Sequence, residues 1–403
     1  QAHLPIAQQQ TAIGHAVRFV YLMTGVAHLA RLSHDESKRQ DCLRLWNNMA
    51  QRQLYITGGI GSQSSGEAFS SDYDLPNDTV YAESCASIGL MMFARRMLEM
   101  EGDSQYADVM ERALYNTVLG GMALDGKHFF YVNPLEVHPK SLKFNHIYDH
   151  VKPLRQRWFG CACCPPNIAR VLTSIGHYLY TPREDALYIN IYAGNSMEVP
   201  VENGTLCLRV SGNYPWQEQV TIAVESPQPV RHTLALRLPD WCTQPQIILN
   251  GEEVEQDIRK GYLHITREWQ EGDTLNLTLP MPVRRVYGNP LVRHVAGKVA
   301  IQRGPLVYCL EQADNGESLH NLWLPADAPF TTFEGNGLFS HKILIQAPGY
   351  RYEQSNPEQQ PLWHYDSAPA KRQPQILTFI PWFSWANRGE GEMRIWVNEE
   401  TSA

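Results

Sequence analysis

Charge is scarce in this chain, at 19% of its 403 residues against 43% hydrophobic. A chain so poor in charge is packed rather than solvated, which excludes disorder on a large scale. Runs of Lys and Arg are missing too: 34 basic residues face 42 acidic ones, for a formal net charge of −8. Nucleic acids and anionic membrane surfaces need a basic footprint, so neither is an expected partner. No apolar stretch approaches the roughly 20 residues that cross a bilayer. The opening Gln1-Ala2-His3-Leu4-Pro5 has neither the basic nor the long apolar segment of a secretory leader, so the expected location is cytoplasmic. A spread of cysteines suited to a disulfide framework is also lacking. Of eight, Cys161, Cys163 and Cys164 fall within four residues. A chain long enough for two or three domains does not need disulfides for stability. The compartment therefore reads as reducing and the cluster as chemical, with disulfide pairing the competing reading. Aromatic residues are plentiful (10 Trp, 19 Tyr, 12 Phe), which suits sugar faces and an ordinary core equally.

Apolar spacing predicts helices over Thr11 to Arg31, Lys38 to Leu54, Ser84 to Glu101, Ser104 to Leu119 and Pro166 to Tyr180. Near residue 185 the period changes from helical to alternating. Short strands follow at 186–193, 205–210, 219–224, 233–238, 246–249, 262–265 and 274–279, with a hairpin signal at Asn250-Gly251. This spacing predicts an antiparallel sandwich. A second is expected from about residue 285, with late strands at 376–380 and 393–397. The segment from Gln312 to Pro374 carries no clear pattern and has no assignment. The fold class is thus α+β and multidomain, divided as 1–184, 185–284 and 285–403.

Four places carry candidate chemistry. Glu67 is a lone carboxylate in the Gly- and Ser-rich loop from Thr57 to Phe69, where backbone can approach a ligand closely. A surface glutamate on a flexible loop is the alternative. In Tyr81-Ala-Glu83-Ser-Cys85, Glu83 and Cys85 could share a ligand; the plainer reading is a helix N-terminal acid beside a small buried thiol. In Phe159-Gly-Cys161-Ala-Cys163-Cys164-Pro-Pro-Asn167, three thiols in a restricted turn call for a soft partner. Zinc binds thiolates and tolerates a carboxylate oxygen, so a Glu/Cys/Cys/Cys metal set fits. There is one formal C-x-x-C and no second pair, which argues against a finger or ribbon. His15 reads as a mid-helix core histidine, and His128 and His138, flanking Tyr131, invite the same plain explanation.

The strings Tyr-Ile-Thr-Gly-Gly-Ile-Gly-Ser with Gly66-Glu67-Ala68-Phe69, Tyr81-Ala-Glu-Ser-Cys-Ala-Ser87 and Gly160-Cys-Ala-Cys-Cys-Pro-Pro-Asn167 resemble glycoside hydrolase family 127. Its best-known members are β-L-arabinofuranosidases. The closing Phe379-Ile-Pro-Trp-Phe-Ser-Trp-Ala-Asn-Arg-Gly389 is similar to that family's C-terminal stretch. The resemblance implies an (α/α)6 barrel followed by two antiparallel β-sandwich domains. It also implies a Zn²⁺ cofactor held by Glu83, Cys85, Cys163 and Cys164, with Cys163 as nucleophile, Glu67 as general acid/base, and His15 and Tyr131 lining the sugar pocket. The implied reaction is retaining hydrolysis that releases terminal β-L-arabinofuranose or a related sugar.

Twelve barrel helices of about a dozen residues each do not fit before residue 185. The helical part is therefore expected to be the C-terminal part of a barrel completed by an N-terminal remainder of the same protein, or by another copy of the chain as a homodimer. Ile13, Val17 and Leu45 are expected to lack packing partners. Two other function classes compete: a carbohydrate-binding scaffold with a structural zinc, and an α/α-barrel lyase or epimerase using Tyr131 and a histidine.

Overall fold

A computed structural model describes residues 3–184, 186–202, 204–353 and 371–400. Five principal helices come first: α1 (Ala16–Ser33), α2 (Glu36–Arg52), α3 (Ser84–Glu101), α4 (Ser104–Ala113) and α5 (Cys164–Thr173). α3 is the central one, buried along nearly its whole first half. α1 crosses it so closely that a Cβ on Gly89 would clash with the Val20 side chain. Asp35 and Asp103 cap α2 and α4 through the backbone amides of Lys38 and Gln105.

The helix expected from Thr11 begins only at Ala16. Gly14 takes a positive φ of 78°, and His15 is the N-cap residue. His15 is thus not mid-helix, because the left-handed glycine ahead of it stops the helix from starting earlier. The expected helix from Pro166 to Tyr180 divides at Ser174–Ile175 into α5 and a short turn, Gly176–Leu179.

Leu45 does not lack partners. It is fully buried beside Trp46, whose ring meets Phe93 and Tyr106 edge-on at 5.2 and 5.0 Å. Val17 is half-buried, while Ile13 is 40% exposed. The apolar exposure on α1 lies instead at Leu22, Leu29 and Leu32, at 41, 57 and 59%. No helix among the described residues is long and apolar enough to cross a membrane.

The strand-rich part of the chain begins at Tyr180–Pro182. A five-stranded sheet contains Leu187–Ile189, Val230–Arg237 and Tyr262–Trp269; a six-stranded sheet contains Asn195–Val201, Gly204–Gly212, Gln219–Val224 and Thr274–Thr278. Alternate residues of both (Leu206, Leu208, Ile222 and Leu275; Leu234, Leu236 and Leu263) meet in one buried cluster. Asn250 and Gly251, with φ of 51° and 89°, make the tight turn that their sequence predicts. The pairing is not purely antiparallel. Leu187–Ile189 runs parallel to Val230–Arg237, because the chain crosses into the other sheet between them.

The C-terminal region forms a ten-stranded sheet. The stretch from Gln312 to Pro374, which has no assignment from sequence, supplies Leu322–Pro325, Thr331–Glu334 and Ile343–Tyr352 to it; residues 354–370 lie outside the described residues. Alternation is weak there because Pro and Gly interrupt it. The expected strand at 393–397 is two, Met393–Arg394 and Val397–Glu400. One strand comes from the helical region: Glu136–Val137 pairs with Met393–Arg394.

Two buried arginines join these parts. Arg155 makes four hydrogen bonds to three carbonyls, those of Gly120, Phe383 and Trp385. Its guanidinium lies 4.5 Å over Phe130, which stacks on Trp385. Arg237, fully buried, bridges Asp108 (3.0 Å) and Glu111 (2.7 Å) of α4. Glu111 also accepts from Tyr214 and Trp241. Removing one member of a buried ion pair strands the other charge. Arg237→Ala is therefore expected to destabilise the protein by about 3–5 kcal/mol, seen as an earlier transition in urea and on heating. An unchanged midpoint would mean that water reaches Glu111.

Candidate active site

The second and third sequence motifs meet at the N-terminal ends of two helices. Glu83 is the N-cap residue of α3, but its carboxylate makes no capping bond. Cys85 lies in the first turn of α3, Cys163 precedes α5 and Cys164 opens it. Cys163 donates to Glu83 Oε1 at 3.3 Å, and Cys164 Sγ lies 3.7 Å from both Cys85 and Cys163 Sγ. One ligand atom from each of these four residues falls within 4.8 Å of the others. Cys161 is exposed and outside the set, so the three adjacent thiols do not act as one group. All eight cysteines are free, against the disulfide reading.

The backbone beneath this cluster is strained and pinned. Ala82 has a φ of 39°, rare for a residue with a Cβ. Its N–H bonds Gly61 at 2.8 Å and its carbonyl accepts from Asn133 at 2.9 Å. Asn133 also bonds Ser84, and Ser84 N–H bonds the Tyr131 carbonyl. Strain of this kind persists where surrounding bonds over-determine it.

The glycines of the first motif serve packing rather than ligand approach. A Cβ on Gly58 would meet Ala113 at 2.5 Å, and one on Gly61 would meet Ala16 at 2.9 Å. They seat the loop against α4 and α1. Beyond them Gly66 and Glu67 both take positive φ, 70° and 51°. Glu67 is part-buried and its Oε2 lies 2.9 Å from His15 Nε2. His15, Glu67 and Glu83 also approach within 4.8 Å of one another. The three motifs therefore converge in one cleft.

That cleft, about 730 Å³, is lined by His15, Glu67, Glu83, Cys85, Tyr131 and Cys163. It also holds Asn167, which closes the third motif but has no role assigned from it, and three residues outside the motifs: Arg18 and Tyr21 from α1, and Arg170 from α5. Asn167 and Arg170 both donate to the Tyr21 hydroxyl, at 3.0 and 2.5 Å. The signal that could have found them is spacing: Arg18 and Tyr21 follow His15 at three-residue steps, and Asn167 and Arg170 follow Cys163 at four and seven. Tyr131 meets Tyr81 and Phe159 at ring distances of 5.9 and 5.8 Å. His128 lies outside the cleft, 3.0 Å from Asp125.

Electrostatics mark the cluster as uncompensated. Burial first, then the neighbouring Cys163, pushes the Glu83 carboxyl up to about 9. Its Oε2 is buried without a hydrogen-bond partner. Hydrogen bonding from Cys163 draws Cys85 down to about 5, whereas the same sulfur contacts push Cys164 up. The Tyr131 hydroxyl is raised by burial and then by Cys163. Three thiols and a carboxylate cannot all ionise in contact unless a cation joins them.

Comparison with known proteins agrees with these motifs. Residues 1–177 match the model for a beta-L-arabinofuranosidase catalytic domain of glycoside hydrolase family 127. Residues 186–281 and 283–398 match the middle and C-terminal domains of the same family. A curated non-reducing end beta-L-arabinofuranosidase from Bifidobacterium longum subsp. longum is 40% identical over 98% of this chain and 61% of its own length. A crystal structure of a family 127 beta-L-arabinofuranosidase from Geobacillus stearothermophilus is 48% identical with a TM-score of 0.95. It is covered over 63% of its length by 99% of this chain. A solved glycoside hydrolase is 31% identical over 99% of this chain and 68% of its own, with a TM-score of 0.91. The chain thus spans about three-fifths of the first two relatives and shares their mixed helix-and-sheet, multidomain architecture. Carrying all three domain signatures in order, it belongs to glycoside hydrolase family 127.

Proposed function

We propose that this chain carries the catalytic centre of a retaining exo-glycoside hydrolase that releases non-reducing terminal β-L-arabinofuranose or a related sugar. The observation that carries this reading is the convergence of the Glu83/Cys85/Cys163/Cys164 cluster and the His15–Glu67 pair in one cleft. The activity of the two arabinofuranosidase relatives supports it.

The donor set fits zinc: three sulfurs, one carboxylate, and a buried Glu83 oxygen lacking a partner. Glu83, Cys85, Cys163 and Cys164 would hold the ion. When bound, it supplies the positive charge that keeps a thiol as thiolate near neutral pH. Cys163 attacks the anomeric carbon as the bond to the leaving oxygen breaks, and Glu67 gives that oxygen its proton. Glu67 then takes a proton from water, which attacks the same carbon and frees the Cys163 sulfur. One water is consumed, and two inversions give retention. His15 orients Glu67 through their 2.9 Å contact, and Tyr131 packs beside Cys163 on the cleft wall.

The finer architecture belongs to the same proposal. Residues 1–184 are read as part of an (α/α)6 barrel, 185–284 and 285–403 as two β-sandwich domains. The exposed Leu22, Leu29 and Leu32 of α1 support a barrel completed by further helices, from an N-terminal remainder of the protein or from another copy. Sedimentation of the purified enzyme distinguishes those two sources.

The test combines product and metal. An aryl β-L-arabinofuranoside should release free sugar with retained configuration, and protein dialysed against metal-free buffer should keep one zinc per chain. Glu83→Ala should lose that zinc, with a gain in thiols reactive toward a disulfide reagent. An unsaturated product would favour a lyase. Bound zinc with no sugar released would favour a scaffold. Cys163 and Cys164 found in disulfides in fresh protein would end the zinc reading.

A further inference from the structure

A second set of metal-type donors lies away from the cleft, where the helical region joins the C-terminal sheet. His138 follows the strand Glu136–Val137, and Glu392 precedes the strand Met393–Arg394. Val137 pairs with Met393 in antiparallel register, so the next positions along that register are His138 and Glu392. His320 comes from a third segment, the turn Leu319–Asn321. One ligand atom from each of the three lies within 4.8 Å of the others. The two imidazole rings meet edge-on at 5.9 Å.

The neighbourhood is built as metal sites are built. Glu136 Oε1 holds His138 Nε2 at 2.8 Å, a carboxylate–histidine pair that fixes the ring and raises its basicity. Both oxygens of Glu392 are fixed by backbone amides, Ser318 at 3.2 Å and Leu319 at 2.7 Å, and each keeps a free lone pair. Arg394 is engaged beside the site with Glu136, at 3.6 Å, and Glu392 has no salt bridge among the described residues. Bonds near 2.0–2.1 Å place tetrahedral ligand atoms about 3.3 Å apart, so the set closes by about 1.5 Å at most to grip an ion.

We propose that His138, His320 and Glu392 bind a divalent ion of the zinc class, separate from the cysteine cluster. Two imidazoles and one carboxylate suit a borderline metal, and water completes the shell. The ion ties the segment from Tyr131 to His138 to two loops of the C-terminal sheet. It therefore acts as a clamp rather than as a reagent.

Zinc itself is the probe. In equilibrium dialysis against micromolar free Zn²⁺, wild-type protein should bind one ion more than His320→Ala. His320 is exposed, so this variant should melt like wild type in chelator. Zinc should raise the wild-type melting temperature and leave that of His320→Ala unmoved. Glu136→Gln keeps every ligand and should weaken the site about 10-fold or more. With Co²⁺, the ion lost in His320→Ala should show no thiolate-to-metal charge transfer. The difference of one ion holds whether or not the cysteine cluster is loaded, so the two readings fail separately. Equal zinc counts, charge transfer in the lost ion, or binding that appears only with zinc-driven dimers would overturn the proposal.

Discussion

Cys163→Ser is expected to lower kcat about 10⁴-fold or more, the range reached when a nucleophile is removed from a working constellation. Three observations concentrate the effect on this residue. Its sulfur contacts Glu83, touches Cys164 and lines the cleft, whereas Cys164 is fully buried. A buried sulfur cannot reach an anomeric carbon; a half-buried one at the cleft wall can. Serine has nearly the same shape but stays protonated, so it neither attacks nor leaves as thiolate does. The check is twofold. Steady-state rates on an aryl β-L-arabinofuranoside should collapse, and a mechanism-based inhibitor should label the wild-type peptide at Cys163 and leave the variant unlabelled. A label on Cys164 would reverse the assignment of the two adjacent thiols.

Glu67→Gln should separate substrates by leaving group. Proton donation contributes roughly 10²–10⁴-fold when the departing oxygen is a poor leaving group. It contributes little to the first step when a nitrophenol departs. Glutamine keeps the size of the side chain and its contact with His15, so the loop from Ser64 to Ala68 should stay in place. The expected outcome is a large loss of kcat/KM on alkyl or disaccharide substrates and a small one on activated aryl glycosides, where slow deglycosylation gives a burst. Equal losses on both classes would show that Glu67 holds the loop and carries no proton.

Glu67 and the Cys163–Cys164 pair stand out as candidates by their immediate neighbours, a carboxylate among Gly and Ser and paired thiols ahead of Pro-Pro, while the choice of Cys163 over Cys164 comes from the family resemblance. The glycines have a different reason from the one their sequence suggests. Gly58 and Gly61 are small because Ala113 and Ala16 press against them, contacts between segments about 45 to 55 residues apart. His15 departs from its sequence pattern for a related reason. Its apolar surroundings have helical spacing, yet the positive φ of Gly14 sets it at a helix start facing the cleft.

Local pattern decided the helices and most strands. Ser84–Glu101 and Gln219–Val224 follow from 3.6-fold and two-fold apolar periods, and Asn250-Gly251 from its preference for positive φ. Those are properties of neighbours along the chain. The convergence of Glu83 with Cys163, the seating of His15 on Glu67, and the pairing of Glu136–Val137 with Met393–Arg394 join residues that are 50 to more than 250 positions apart. No periodicity encodes such contacts, because loop closure and core packing choose among many partners of equal local merit. Tertiary structure brings two of the three neighbouring thiols into contact with Glu83 and Cys85, because the start of α5 packs against the start of α3 and buries Cys164, while Cys161, exposed ahead of α5, stays outside the cluster on the rim of the same cleft.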